Sequence, residues 1–172
     1  MKDSIKVLKL MFFGLLSAVF IYPFLHESGH VISALFSGAK LVGFTMFPLP
    51  NTVCEFDHDN TVSQMMSALG GVVFPYVLSF VLVPKTSKKF IWWYVFFLMR
   101  IISIYATFLS MISLFLIACG VPLKNVDVSV VFEVYPDYTV FIVAGLIMMI
   151  SFGLIVSLKD KPITHFKDYF ED

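Results

Sequence analysis

The sequence predicts an all-α membrane protein with about four transmembrane helices and a small β-hairpin-like loop after the first. Apolar residues make up 59% of the 172 positions and charged residues only 14%, whereas soluble domains have roughly 45–50% and 25% on a similar count. The apolar residues also form four stretches long enough to cross a bilayer, which takes about 20 residues. We therefore expect one integral membrane domain over residues 1–172.

Turn-forming residues separate the predicted helices. The spans cover residues 7–36, 61–83, 90–119 and 138–158. Gly38 is a typical helix stop after the first of them. Beyond it, Lys40–Phe47 and Thr52–Phe56 favour β-strands on either side of a turn sequence, Pro48–Asn51. This pattern predicts a small hairpin at the membrane surface, with an irregular loop as the alternative.

The basic residues predict the orientation in the membrane. Those on one side of the predicted bundle are Lys2, Lys6, Lys9, Lys85, Lys88, Lys89, Lys159, Lys161 and Lys167. The other side has only Lys40 and Lys124. By the positive-inside rule, both termini are cytoplasmic and loops 37–60 and 120–137 face out. We expect a multi-pass protein of a prokaryotic plasma membrane.

Two further consequences follow from the charges. A formal net charge of zero, without a basic patch, argues against a nucleic-acid partner. Arg100 lies within the third span, about ten residues from its basic end. It either snorkels toward the cytoplasmic headgroups or serves as a counter-charge within the bundle.

Five residues within the first span form a metal-binding motif, His26-Glu27-Ser28-Gly29-His30. Positions i and i+4 of an α-helix lie on the same face, so both imidazoles can reach one zinc ion at about 2.0–2.1 Å. Zinc activates a water molecule, and the neighbouring carboxylate of Glu27 can take the proton of that water. His26 and His30 are therefore the predicted metal ligands, Glu27 is the predicted catalytic base, and Zn2+ is the predicted cofactor.

The motif is specific for a chain of this composition. With four His and four Glu in the sequence, a shuffled chain would contain His-Glu-x-x-His with a probability of roughly 0.002. Ionisable residues flanked by apolar helix are also costly in a membrane and usually mark a functional site. The alternative is a structural role, in which the two His and the Glu form hydrogen bonds between helices.

A catalytic zinc takes three protein ligands and keeps one position open. His26 lies about 25 Å along the helix from Lys9 at 1.5 Å per residue, which places the motif near the outer end of the first span. The third ligand should therefore come from the outer ends of the other spans. The residues that meet this requirement are Asp127, Asp137, Asp57, His58 and Asp59. Position alone does not choose among them.

The motif resembles that of the site-2 protease family of intramembrane zinc metalloproteases, in which a glycine precedes the second histidine, as Gly29 does here. In that family the third ligand is the aspartate of an Asn-x-x-Pro-x-x-x-x-Asp-Gly pattern. Pro122 and Asp127 keep the spacing from proline to aspartate, whereas Cys119 and Val128 stand in place of the asparagine and the glycine. The resemblance thus implies that Asp127 is the third ligand, ahead of its rivals.

The resemblance covers residues 10–130 and includes two weaker features. Gly70 and Gly71 followed by Pro75 are similar to a Gly-Pro-rich helix beside the metal in that family, and we favour close helix packing as their role. The family also has a β-leaning stretch after the motif helix, and an extended substrate could add to such an edge. Relatives hold the site nearer the cytoplasmic face, whereas the lysines here place it toward the outside.

The motif and the resemblance predict an intramembrane zinc metalloprotease that hydrolyses a peptide bond of a membrane-anchored protein or peptide substrate. The alternative is a catalytically silent metal-binding membrane protein of the same fold, acting as a binding or regulatory module. A third interpretation is a structural or transport protein in which the histidine pair is incidental. In each case the lipid bilayer is a partner of the chain.

Overall fold

A computed structural model describes residues 2–45, 50–56, 61–83, 90–123, 127–134 and 136–171. Within these ranges the chain is mostly helical, with one two-stranded antiparallel sheet. The helices are α1 (Lys2–Leu16), α2 (Tyr22–Phe36), α3 (Thr61–Val81), α4 (Phe90–Ala118), α5 (Asp127–Val134), α6 (Thr139–Lys159) and α7 (Pro162–Glu171). The strands are β1 (Lys40–Thr45) and β2 (Asn51–Glu55).

Among the described residues, four helical stretches are long and apolar enough to cross a membrane, which confirms the predicted fold class. They are α1 continued into α2, then α3, α4 and a stretch that contains α6. Large apolar side chains cover their outer surfaces, and Leu8, Phe115 and Phe141 are each about two-thirds exposed or more. Such surfaces are matched by hydrocarbon rather than by water. The chain is therefore described as a membrane protein.

α1 and α2 form one continuous helix through a π-helical turn, Ser17–Ile21. There the backbone N–H of Tyr22 donates to the carbonyl of Ser17, five residues earlier. Pro23 explains the wider turn, because its ring would collide with a carbonyl of the preceding turn in a regular α-helix and it has no N–H to donate. The extra residue in this turn rotates the side chains that follow it about the helix axis, just before the motif.

α2 and α3 pack antiparallel, with their backbones in contact at Gly29 and Gly70. A Cβ atom on Gly29 would lie 2.8 Å from the carbonyl carbon of Gly70 and 2.9 Å from Phe74 Cβ. Any side chain would separate the helices at this crossing, so the packing role predicted for Gly70 is confirmed. Farther along the pair, the Ser63 hydroxyl donates to the Ser37 hydroxyl at 2.7 Å. Because the two backbones approach closely, side chains of α2 can contact the backbone of α3.

β1 and β2 form the predicted hairpin after the first span. They run antiparallel, from the pair Lys40 and Glu55 to the pair Thr45 and Asn51. Part of the predicted first strand and turn, residues 46–49, lies outside the described part of the chain. The Thr52 hydroxyl donates to the backbone carbonyl of Glu27 at 3.4 Å. The hairpin is therefore anchored on the helix that carries the motif.

The segment between α4 and α6 differs from the prediction. The sequence predicts only a loop over residues 120–137, whereas Asp127–Val134 form the short helix α5 and Pro136–Tyr138 form a 3-10 turn. Valine has a modest helix propensity, so the local sequence does not predict this helix. It is stabilised by packing, since α5 contacts α3 and α4 and Val131 is fully buried. Tertiary contacts here override local preference.

The helix α7 also lies beyond the last predicted span. It packs aromatic side chains against α4, with the rings of Tyr169 and Phe90 stacked at a centroid distance of 4.1 Å. Lys6 of α1 donates to the backbone carbonyl of Phe170, near the end of α7, at 3.3 Å. Both ends of the described chain therefore lie at the same end of the bundle.

Arg100 of α4 has a defined partner inside the bundle. Its side chain is 2% exposed and forms an ion pair with Asp160, which follows α6. Its guanidinium also lies over the Phe80 ring, 4.4 Å from the centroid. The ion pair with Asp160 agrees with the counter-charge interpretation of Arg100. The snorkelling interpretation stays a prediction, because Asp160 follows α6 on the predicted cytoplasmic side.

Candidate metal centre

His26 and His30 lie one turn apart on the face of α2 that meets α3. Their Nε2 atoms are 3.2 Å apart, and their rings meet edge to face with centroids 4.7 Å apart. The shared face follows from the i, i+4 spacing of an α-helix. Both imidazoles therefore direct the same ring nitrogen toward one point beside the helix.

The orientation of the His30 ring is determined by α3. Its Nδ1 lies 2.7 Å from the backbone carbonyl oxygen of Ser67. A carbonyl only accepts, so Nδ1 carries a proton and donates it, and Nε2 of the neutral ring keeps a lone pair. The Ser67 hydroxyl donates in turn to the His30 carbonyl at 3.2 Å. Metal-binding histidines usually make such a contact with the nitrogen that does not bind the metal.

Asp127 joins the two histidines from a distant part of the chain. It is the first residue of α5, and its Oδ2 lies 3.2 Å from His26 Nε2 and 3.4 Å from His30 Nε2. Ligand atoms placed tetrahedrally around zinc at 2.0–2.1 Å are about 3.3–3.4 Å apart. The two nitrogens and the carboxylate oxygen thus have the spacing and the chemistry of a zinc ligand set.

The charges of this group favour a cation between the three atoms. The lone pair of His30 Nε2 and the Asp127 carboxylate are both acceptors, so they repel each other unless a proton or a metal ion lies between them. Burial raises the pKa of Asp127, but hydrogen bonds with His26 and His30 outweigh burial and hold that pKa well below its usual range. The carboxylate is therefore ionised at neutral pH, and the group fits Zn2+ in both charge and spacing.

Glu27 lies beside the ligand group without pairing with it. Its carboxylate is within 4.8 Å of a ring nitrogen of His26 and of a ring nitrogen of His30. Within the described part of the chain, this carboxylate makes no ion pair. A carboxylate at this distance from a metal site can exchange a proton with a metal-bound water molecule. The position of Glu27 is therefore compatible with its predicted role as general base.

A cavity of about 410 Å³ opens beside Glu27, His30 and Asp127. β2 and α3 provide its other walls. The contribution of β2 consists of four consecutive residues, Asn51–Cys54. Because side chains alternate between the two faces of a strand, a wall of consecutive residues presents the edge of the strand. β1 pairs with one edge of β2, and no strand in the described part of the chain pairs with the other, so this unpaired edge of β2 borders the cavity.

Gly71 makes space for both imidazoles. A Cβ atom at this position would come within 2.6 Å of His30 Cε1 and 2.9 Å of His26 Cε1. Close helix packing therefore accounts for Gly70 but not for Gly71, which lies against the ligands themselves. Sequence reasoning noticed the adjacent glycines and missed this division of roles. It also missed Ser67, whose only signal was a polar residue one turn before Gly71 on an apolar helix.

The other candidates for the third ligand do not join the histidines. Asp137 is exposed in the 3-10 turn after α5 and makes no ion pair with His26 or His30. Asp57, His58 and Asp59 lie outside the described residues. Among the candidates that the structure describes, Asp127 is the one that contacts both histidines.

Comparisons with known proteins identify no relative of this chain. No protein-family profile, curated protein or solved structure shows a significant match to this chain. The resemblance to the site-2 protease family therefore stays a prediction. The spacing of His26, His30 and Asp127, in contrast, is a property of this chain's own fold.

Proposed function

We propose that this chain is an intramembrane zinc metalloprotease of the site-2 protease type, which hydrolyses a peptide bond of a membrane-anchored protein or peptide. The observation that carries the proposal is the convergence of His26 Nε2, His30 Nε2 and Asp127 Oδ2 within 3.4 Å of one another. Glu27 lies beside them as the base that hydrolysis requires. Ionisable residues within a membrane span are costly and usually serve a function.

Each residue of the site has its own role in the proposed reaction. A zinc ion held by His26, His30 and Asp127 would act as a Lewis acid that polarises a water molecule and the scissile carbonyl. Glu27 accepts a proton from the water as its oxygen forms a bond with the carbonyl carbon. It then donates this proton to the amine nitrogen as the C–N bond breaks. The products are a carboxylic acid and an amine, and Glu27 is ionised again. The second water proton passes from the acid to the amine, which leaves a carboxylate and an ammonium group.

The unpaired edge of β2 supports an extended substrate. A peptide strand can form main-chain hydrogen bonds with Asn51–Cys54, as the family resemblance implies. A substrate helix must unwind first, because its backbone is already hydrogen-bonded and its carbonyls are shielded. Deletion of Thr45–Asn51 is expected to abolish cleavage while zinc stays bound. Cleavage that survives the deletion contradicts strand addition.

Glu27→Gln is the decisive experiment for turnover. The amide keeps the size of the side chain but cannot accept a proton, so cleavage is expected to fall about 10²–10⁴-fold. Zinc content, measured on purified protein, should stay near one ion per chain. Glu133→Gln, an exposed residue of α5, is the matched control and should cleave single-span test substrates like the wild type. Full cleavage by Glu27→Gln would contradict the mechanism.

The second candidate function is a metal-binding regulatory protein without turnover. The residues that favour it are Cys119 and Val128, which replace the Asn and the Gly of the family pattern. One zinc per chain, no cleavage by the wild type and an unchanged cellular phenotype for Glu27→Gln would establish this function. Purified wild-type protein that binds no zinc would exclude both candidates.

The lysine distribution supports an orientation with both termini in the cytoplasm of a prokaryotic cell and the metal site toward the outer face of the plasma membrane. Single cysteines at positions 51 and 88 test this, in a background without Cys54 and Cys119. An impermeant thiol reagent added to intact cells should label Asn51→Cys and spare Lys88→Cys. The reverse labelling pattern would invert the orientation.

A further inference from the structure

Gln64 of α3 is a polar residue of the cavity lining that takes no part in the ligand group. Two other polar residues of the lining are engaged, since Ser67 bonds with His30 and Thr52 with Glu27. Gln64 is half-buried, and its amide makes no hydrogen bond with any residue that the structure describes. An uncharged amide that borders a cavity without a partner is a candidate for binding a ligand.

The position of Gln64 relates it to the metal centre. It lies on the same face of α3 as Ser67, Ala68 and Gly71, which are three, four and seven residues later. This face meets the ligand group, because Ser67 holds His30 and Gly71 lies against both imidazoles. Gln64 is about 5 Å along the helix from Ser67, at 1.5 Å per residue. The unpaired edge of β2 borders the same cavity from another element.

The chemistry of a glutamine amide suits a peptide in this cavity. An extended peptide that pairs with β2 exposes the N–H and C=O groups of its other edge. In a partly buried cavity, main-chain groups without a partner cost free energy. A glutamine side chain offers both a donor and an acceptor, so it can bond the N–H and the C=O of one peptide unit. Because it is uncharged, it favours main chain over charged side chains.

We infer that Gln64 is a substrate-positioning residue that binds the main chain of an extended substrate beside the scissile bond. The inference rests on the proposed function, because it concerns the substrate of the same site. Gln64 selects an extended backbone at this position rather than a particular side chain.

Peptide hydroxamates test this inference without turnover. Two fluorescein-labelled probes place a Val-Thr-Val-Leu segment before the zinc-chelating hydroxamate in one and after it in the other. Their affinity for the full chain in detergent is measured by fluorescence anisotropy. Gln64→Met keeps the length of the side chain and removes its hydrogen bonds, so one of the probes should bind about three- to tenfold more weakly. Met66→Leu, on the exposed face of α3, is the matched control and should leave both affinities unchanged.

A change in the probe backbone separates direct contact from a structural effect. Each amide N–H of the affected probe is replaced in turn by an ester oxygen. For the wild type, the ester at the peptide unit that Gln64 binds should weaken binding about three- to tenfold. For Gln64→Met the same ester should cause no further loss, because its partner is already missing. Equal sensitivity of both proteins to every ester would overturn the inference.

Removal of zinc distinguishes failure of the inference from failure of the proposed function. Probe binding that disappears with a chelator and returns with zinc shows that the probes report the metal centre. If binding is zinc-dependent and Gln64→Met binds both probes like the wild type, the inference alone is wrong. If binding does not depend on zinc, the proposed function is wrong and the inference falls with it.

Discussion

Two clusters of ionisable side chains within the described part of the bundle differ in their chemistry. About a third of the way along α4, Arg100 pairs with Asp160, and beyond the far end of α4 Asp127 meets His26 and His30. The first cluster joins opposite charges, so each group neutralises the other within the chain. The second joins one carboxylate to two imidazoles, and no lysine or arginine in the described part of the chain pairs with that carboxylate. A buried cluster that is complete in itself indicates a structural role, and one that lacks its counter-charge indicates a binding site.

The enclosure of each cluster agrees with this difference. Arg100 is 2% exposed and is covered by the Phe80 ring. The ligand group instead borders a cavity of about 410 Å³, and the side chain of Asp127 is 43% exposed. Exclusion of water strengthens the attraction within an ion pair, whereas a metal ion and a substrate need access to their site. The two clusters are therefore suited to different tasks.

The largest expected effect breaks the ligand group. His30→Ala and Asp127→Ala each remove one of three zinc ligands, so zinc binding should weaken by more than about 100-fold, beyond the loss typical of a supporting residue. Cleavage should be lost with it. Arg100→Leu should keep one zinc per chain, as measured by metal analysis of purified protein. Zinc loss in Arg100→Leu, or full zinc content in His30→Ala, would contradict the division between the two clusters.

An intermediate effect is expected at the ion pair. Asp160→Ala leaves the buried guanidinium of Arg100 without its partner, which should lower the free energy of unfolding by about 3 kcal/mol. The double variant Arg100→Leu/Asp160→Leu removes both charges and should unfold within about 1 kcal/mol of the wild type. Thermal unfolding in detergent measures both changes. A double variant as unstable as Asp160→Ala would show that the pair does more than neutralise itself.

The smallest expected effect concerns the space that Gly71 leaves beside the metal centre. Gly71→Ala places a methyl group against both imidazoles and should weaken zinc binding about tenfold, as changes beside metal ligands do. Gly145→Ala is the matched control, because a Cβ atom there meets nothing within 4 Å. Alanine has higher helix propensity than glycine, so lost affinity would not reflect an unstable helix. Competition with a zinc-sensitive dye measures the affinity, and equal affinities for the two variants would contradict the assigned role of Gly71.

Much of the fold was predictable because its signals are local. A membrane span needs about 20 apolar residues in a row, and a hairpin needs β-leaning residues around a turn, so both can be located from short windows of sequence. α5 was missed because its valine-rich segment has little helix propensity and depends on packing against α3 and α4. α7 was missed because it is polar enough to resemble a tail, and its aromatic contacts with Phe90 appear only in the folded bundle.

In the candidate site, too, local features were predictable from the sequence and contacts between helices were not. By itself, the sequence determined that His26, Glu27 and His30 lie together near one end of a membrane helix, because helical periodicity places them within one turn. Only the tertiary structure decided that Asp127, 101 residues from His26, meets them, and that Gly71 rather than Gly70 accommodates their rings. It also decided that Arg100 has a partner in Asp160. These contacts depend on how separate helices pack, and the spacing of residues along the chain does not determine that packing.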